Sequence, residues 1–175
     1  MESLEYLTKI LDKISCSSLE NIQIEEQNKE YEGITFSIGK QTFRSRKAKK
    51  TPKKSGYFVV FWEKDEDNRN QAYTSLTAPD KLVITVFDQE KIGQFIFPKE
   101  ILVKKHILSH EEVMGKMALR VYPDWAQDLN STAAATQKWQ SPFFIDLTNK
   151  IDFEKLEQLY FASEDLPAKQ KRNWK

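Results

Sequence analysis

Two hydrophobic runs constrain this chain more than any other feature. Tyr57-Phe58-Val59-Val60-Phe61-Trp62 and Leu82-Val83-Ile84-Thr85-Val86-Phe87 are apolar on both of their alternating faces. Strands of that kind belong in the middle of a sheet covered on both sides. The chain must supply the cover itself, and its 175 residues suffice to do so within one domain spanning 1–175. With 39% hydrophobic and 12% aromatic residues, it is too rich in core-forming side chains to be disordered.

The covering elements are legible. Leu4, Leu7, Ile10, Leu11 and Ile14 recur at helical spacing, with Ser3 placed as an N-cap and Glu2 and Glu5 near the helix start. They predict an amphipathic helix ending around 15–18. Ser131 predicts the cap of a helix over 132–140, where Ala133, Ala134 and Ala135 give high propensity. Asp152 predicts the cap of a last helix with Phe153, Leu156, Leu159 and Tyr160 on its buried side.

Between them lie strands. Residues 21–26 alternate weakly and read as a strand or a loop. Ile34, Phe36 and Ile38 alternate with Thr35 and Ser37 until Gly39 stops the run. Gly39-Lys40 predicts a hairpin turn into 41–46, with Phe43 and Ser45 on one face and Thr42, Arg44 and Arg46 on the other. Residues 63–70 form a charged turn, 93–97 a further strand, and Pro98 opens a short helical turn through Leu102. Residues 116–122 predict a strand with Met117, Leu119 and Val121 opposite Ala118, Arg120 and Tyr122. The connections are too short for regular parallel crossovers. The chain is therefore expected to be an α+β fold with a mixed, mainly antiparallel sheet flanked by helices.

Charge is unevenly spread. Net charge is only +1, yet residues 40–54 hold eight basic side chains and no acidic one. The rest of the chain has 19 basic against 26 acidic residues. Like charges held this closely between two strands point to an anionic counterpart. The alternation sets Arg44 and Arg46 about 7 Å apart on one face, near the spacing of successive phosphates. Pro52 keeps the rest of the stretch out of a central strand. The lone Cys16 excludes an internal disulfide and any multi-cysteine metal site, and reads as a small residue near the end of the first helix. No signal-like stretch and no run near the ~20 apolar residues of a membrane span is present, so a cytoplasmic protein without membrane contact is expected.

A family resemblance rests on Phe43-Arg44-Ser45-Arg46-Lys47-Ala48-Lys49-Lys50-Thr51-Pro52-Lys53-Lys54-Ser55-Gly56-Tyr57-Phe58-Val59. Gly93-Gln94-Phe95-Ile96-Phe97-Pro98, Gly115-Lys116, Arg120-Val121-Tyr122-Pro123 with Trp125, and Thr136-Gln137-Lys138-Trp139-Gln140 extend it over about 30–147. The chain resembles the MepB-like proteins, a bacterial family named for a multidrug-efflux operon. Tyr57 stands where that pattern commonly has glutamine, and Asp124 interrupts a usual Pro-Pro before Trp125. The resemblance implies a cytosolic protein and a role beside drug efflux, without a reaction. It is also read as a resemblance to the restriction-endonuclease-like fold.

That fold's usual centre holds Mg²⁺ on acidic residues with a lysine two positions after one of them. No acidic residue here has lysine at that offset: Lys81, Lys91 and Lys64 each follow an acid by one position. A lysine displaced into 46–54 would have to serve, with Glu26, Glu32, Asp80 or Asp88 as metal ligands. His106 and His110 are four apart, which would put both on one helical face, but they lack a clear third ligand for zinc. No nucleophile elbow or Gly-rich phosphate loop exists.

The preferred reading is thus a nucleic-acid-binding protein, for DNA or RNA, without catalysis and without a cofactor. Its grip is assigned to Arg44, Arg46, Lys47, Lys49, Lys50, Thr51, Lys53 and Lys54, with Arg120, which otherwise pairs with a carboxylate such as Asp124. Gln137 and Gln140 are added as readers of base edges, against the alternative that they cap or bridge strands; Trp139 either stacks on a base or fills the core. The basic tail, residues 168–175, reads first as solvated and only second as a further phosphate contact through 169–175. The alternatives are a Mg²⁺-dependent nuclease on the same scaffold, or a protein that binds a nucleotide, another small ligand or an acidic partner.

Overall fold

The computed structural model describes residues 1–15 and 17–162. Cys16 and the basic tail lie outside them. The chain opens with helix α1 (Glu2–Leu11), strand β1 (Glu20–Ile24) and a 3-10 segment (Glu26–Tyr31). Strands β2 (Ile34–Ile38), β3 (Gln41–Lys47), β4 (Lys49–Lys50) and β5 (Tyr57–Val60) follow. A small ribbon of β6 (Glu63–Lys64) and β7 (Asn70–Gln71) leads to the long hairpin of β8 (Lys81–Asp88) and β9 (Lys91–Pro98). The last elements are α2 (Lys99–Lys104), β10 (Ala118–Val121), α3 (Ser131–Gln140), β11 (Phe144–Asp146) and α4 (Phe153–Phe161).

Two sheets carry the fold. The larger runs β1-β2-β3-β8-β9-β11, and every pairing in it is antiparallel except β3 with β8. The smaller runs β10-β5-β4, antiparallel throughout. This is the expected mixed, mainly antiparallel α+β architecture. Helices α1 and α4 cover one face of the large sheet, where Leu7, Leu11, Phe43, Val83, Ile96 and Tyr160 share a core. The small sheet, with α2 and α3, covers the other, through Tyr57, Val59, Val121, Ile84, Phe95 and Phe97. Strand β8 is therefore buried on both faces, as its composition requires.

The second apolar run behaves differently. Tyr57 and Val59 point into the core, but Phe58 and Val60 face outward from the small sheet and stay half-buried. The expectation that this run is covered on both sides is corrected. Two helix starts also differ. Asn130, not Ser131, caps α3 by accepting from the Ala133 N–H at 2.8 Å. Ser3 lies within α1, whose first N–H groups, those of Glu2 and Ser3, donate instead to the Glu32 carboxylate at 3.0 and 2.8 Å. Asp152 caps α4 as expected, bonding the Lys155 N–H at 3.0 Å, but Phe153 is exposed and Glu157 takes a buried place. Among the described residues, no helix is long and apolar enough to cross a membrane.

Candidate functional site

Alternation along β3 does set Arg44 and Arg46 on one face, and that face is turned toward Glu25 and Tyr73. Glu25 binds Arg44 Nε at 3.0 Å and Arg46 Nη1 at 2.6 Å. Arg46 Nη2 donates to the Tyr73 hydroxyl at 2.9 Å, and the Arg44 guanidinium lies 3.7 Å from the centre of the Tyr73 ring. Burial raises the Tyr73 phenol above its ordinary value, while the neighbouring guanidinium groups pull it back. Arg46 is 0% exposed, and Gly33 is what makes room for it: a Cβ there would stand 2.9 Å from Arg46 Nη1. The assignment of Arg44 and Arg46 to a phosphate grip is corrected on this geometry. They are an internal ionic cluster that pins the β1 end and the β7–β8 connection to β3.

The neighbouring lysines are partly engaged. Lys47 pairs with Glu2 at 2.5 Å, Lys50 with Asp88 at 3.3 Å and Lys49 with Glu30 at 3.7 Å. Asp88 also accepts from the Tyr57 hydroxyl at 2.5 Å. That bond, helped by Lys50 and opposed by burial, holds its carboxyl below the usual range. Burial and the same bond to Asp88 push the Tyr57 phenol up to about 12, although the Trp125 indole donates to it at 3.2 Å. Lys53 and Lys54 are exposed.

What the fold assembles is the outer face of the small sheet. Lys49, Phe58 and Arg120 stand directly opposite one another across β4, β5 and β10, and directly opposed residues share a face. The Arg120 guanidinium lies 5.7 Å from the Phe58 ring centre. Tyr31 meets Phe58 edge-on at 6.2 Å and has Lys49 Nζ at 4.4 Å over its ring. Arg120 does not pair with Asp124, which instead accepts from the Ser141 hydroxyl. It donates to Thr51 Oγ1 at 2.6 Å and to the Ser55 carbonyl at 3.0 Å, tying the loop that carries Lys53 and Lys54 to the same face. Gly56 closes that loop at φ +76°, with its α-carbon against the Tyr122 ring where a Cβ would fall 2.6 Å from a ring carbon.

Beside Arg120 the face opens into a cavity of about 420 Å³ between β10 and α3. Lys105, Lys116 and Arg120 line it with Phe58 and Trp139, and no carboxylate does. Trp139 has Lys105 Nζ 5.3 Å from its ring and packs at 5.5 Å on Phe97. Lys105, Lys116, Phe58 and Tyr31 were missed in the sequence because nothing in their local spacing links four separate segments.

Two assignments turn out to be structural. Gln140 is fully buried, accepts from the Tyr122 N–H and donates to the Arg120 carbonyl, both at 2.9 Å. Gln137 donates to the carbonyls of Pro123 and Ala126 at 2.8 and 3.1 Å. These glutamines bridge α3 to β10 and the turn after it, so their use as base readers is corrected.

The acids considered for a metal are held apart. Glu32 caps α1, Asp80 accepts from the Thr42 N–H and hydroxyl at 2.9 and 3.1 Å, Asp88 serves Tyr57 and Lys50, and Glu26 faces Lys29 at 3.7 Å. Among the described residues no three His, Cys, Asp or Glu side chains converge as ligands. These residues do not fit a Mg²⁺ centre. Nor do His106 and His110 share a helical face: α2 ends at Lys104, His106 has φ +55°, and His110 Nδ1 bonds the Ser75 hydroxyl at 2.8 Å.

A family model described as MepB-like matches residues 25–146. The crystal structure of MepB is similar at 46% sequence identity and a TM-score of 0.76, over 86% of this chain and 99% of that one. No curated protein matches.

Proposed function

Since the chain belongs to the MepB-like family, whose name carries no reaction, we propose a function from the face itself: binding of nucleic acid through its phosphates, without catalysis. The observation that carries the reading is the row Lys49–Phe58–Arg120 across the small sheet, continued by Lys105 and Lys116 in a cavity free of carboxylates, with Lys53 and Lys54 on the loop that Arg120 ties to this face. Cations interleaved with aromatic rings on an open β-surface suit a strand of phosphates and bases. Lys47 pairs with Glu2 of α1, on the other face of the large sheet, and Lys50 stands opposite the inward-pointing Tyr57 and pairs with Asp88, so neither belongs to this surface. Lys49 lies on it and faces Glu30 at 3.7 Å. Nucleic acid is met in the cytoplasm, which is the location this reading entails.

A salt titration tests it. Affinity for oligonucleotides falls linearly with salt on logarithmic axes, with a slope of about −0.7 per contacted phosphate on single strands and about −0.9 on duplex. Lys53→Glu with Lys54→Glu lowers that slope by roughly 1–2 and leaves the melting temperature unchanged. Absence of binding at about 50 mM salt rules the reading out, and thermal shifts against nucleotides and acidic peptides then identify which anion the face serves.

A further inference from the structure

We infer that a second cavity, between α2, the end of α4 and the start of β8, binds a free amino acid with a large apolar side chain, held by both of its charges. The cavity measures about 700 Å³ and shares no lining residue with the one beside Arg120. Its size lies within the roughly 300–1,000 Å³ of small-ligand sites.

The wall holds open hydrogen-bonding groups of both kinds. Gln41, at the start of β3, lines the cavity, and its Oε1 is buried without a donor. A buried acceptor left open is costly and calls for a donor. Glu100 and Lys104 also line it and stand four residues apart on α2, a spacing at which such side chains commonly pair. Among the described residues, neither keeps an ion pair or a hydrogen bond. Lys81 is the deepest cation, 7% exposed, and donates to the Leu159 and Ala162 carbonyls at 2.5 and 3.3 Å. An ammonium has three N–H groups, so one remains to be given. Burial lowers that amine to about 8, against the pull of Asp80 and Glu100, which leaves it a cation at neutral pH.

A ligand with a single charge would satisfy half of this wall. An anion would meet Lys81 and Lys104 but leave Gln41 Oε1 open and crowd Glu100. A cation would meet Gln41 and Glu100 and face two ammonium groups. An amino acid carries both charges on one carbon: its carboxylate takes Lys81 and Lys104, and its ammonium takes Gln41 Oε1 and Glu100. The rest of the wall is apolar, with Ile96, Ile101, Phe143 and Leu159, and removes the ligand side chain from water.

The test is isothermal calorimetry on the full chain with L-phenylalanine, 3-phenylpropionate and phenethylamine. L-phenylalanine binds at one site, and each analogue, lacking one charged group, binds roughly 10-fold or more weakly. Glu100→Gln and Lys104→Ala change exposed side chains and leave the melting temperature of the free protein unchanged. Each weakens L-phenylalanine about 5-fold, but Lys104→Ala leaves phenethylamine binding unchanged and Glu100→Gln does not weaken 3-phenylpropionate. Gln41→Leu removes the open acceptor and lowers L-phenylalanine affinity without lowering the melting temperature, a combination that a purely structural residue does not give. Either analogue binding as tightly as L-phenylalanine overturns the inference in favour of a site for a single charge. An L-phenylalanine response that survives all three substitutions overturns it by placing the ligand elsewhere, and no heat from any of the three compounds at millimolar concentration overturns it outright. Oligonucleotide binding is decided separately by the salt titration and stands or falls without this site.

Discussion

Glu25 holds two guanidinium groups with one carboxylate, and the cluster is closed over by Tyr73 and Gly33. Removing the carboxylate leaves two cations facing each other in a low-dielectric interior. Glu25→Ala is expected to lower unfolding free energy by about 3–5 kcal/mol in urea denaturation. Arg46→Met costs less, because Glu25 then keeps Arg44 and no charge is left alone. Lys81 poses the opposite problem. It is buried, donates to the carbonyls of Leu159 and Ala162 at the end of α4, and burial lowers its amine to about 8 against the pull of Asp80 and Glu100. In the unfolded chain that amine titrates near 10.4. Between about pH 8 and 10 the unfolded state therefore keeps a proton the folded state has released, and stability rises with pH. The expected gain is up to about 3 kcal/mol, and Lys81→Met removes it: urea midpoints measured across that window climb in the parent relative to the variant.

At the scale of elements, α3 hangs on Gln140. Its amide completes the hydrogen bonding of β10 at the edge of the small sheet, bonding main-chain groups of Tyr122 and Arg120. Gln140→Leu strands both groups, at roughly 1–3 kcal/mol each. The melting temperature falls, and on the proposed function oligonucleotide binding weakens with it, because α3 is a wall of the cavity beside Arg120. Such an anchor shows what a sequence can and cannot disclose. The β2–β3 hairpin, its turn at Gly39 and the faces of Phe43 and Arg44 were readable, since alternation is a property of neighbouring residues. The capping role of Asp152 was readable for the same reason. The partner of Arg44 was not, because Glu25 lies 19 residues away, nor was the Glu32 cap of α1, 30 residues from Glu2. The outward turn of Phe58 was hidden by its hydrophobicity: an apolar side chain on an outer sheet face and one in a core look alike until the covering layer is known.

Over the whole molecule, two carboxylates stitch distant parts and set the acid limit. Glu32 holds α1 to the segment before β2, and Asp88 holds the β8–β9 hairpin to Tyr57 of the small sheet. Burial tends to raise Glu32, but the bonds from Ser3 and Glu2 and the charge of Lys47 outweigh it and leave it lowered; Asp88 is lowered chiefly by Tyr57. Groups depressed in the folded state add stability above their unfolded values, about 4, and lose it as pH falls through the folded ones. Glu32→Gln and Asp88→Asn should each flatten the acid limb of a stability–pH curve followed by tryptophan fluorescence; an unchanged limb would show that other carboxylates govern it. The order in which the chain visits its two sheets reaches further. It runs through β1–β3 in the large sheet, crosses at Ala48 into β4 and β5 of the small one, returns for β8 and β9, crosses again for β10, and returns for β11. No cut between β4 and β10 leaves either sheet whole. The face that carries Lys49, Phe58 and Arg120 cannot be lifted out as a short cassette, and a recombination breakpoint between β4 and β10 divides both layers at once. Such a surface passes between lineages only as an undivided unit with its helical backing, and it changes by point substitution, not by shuffling.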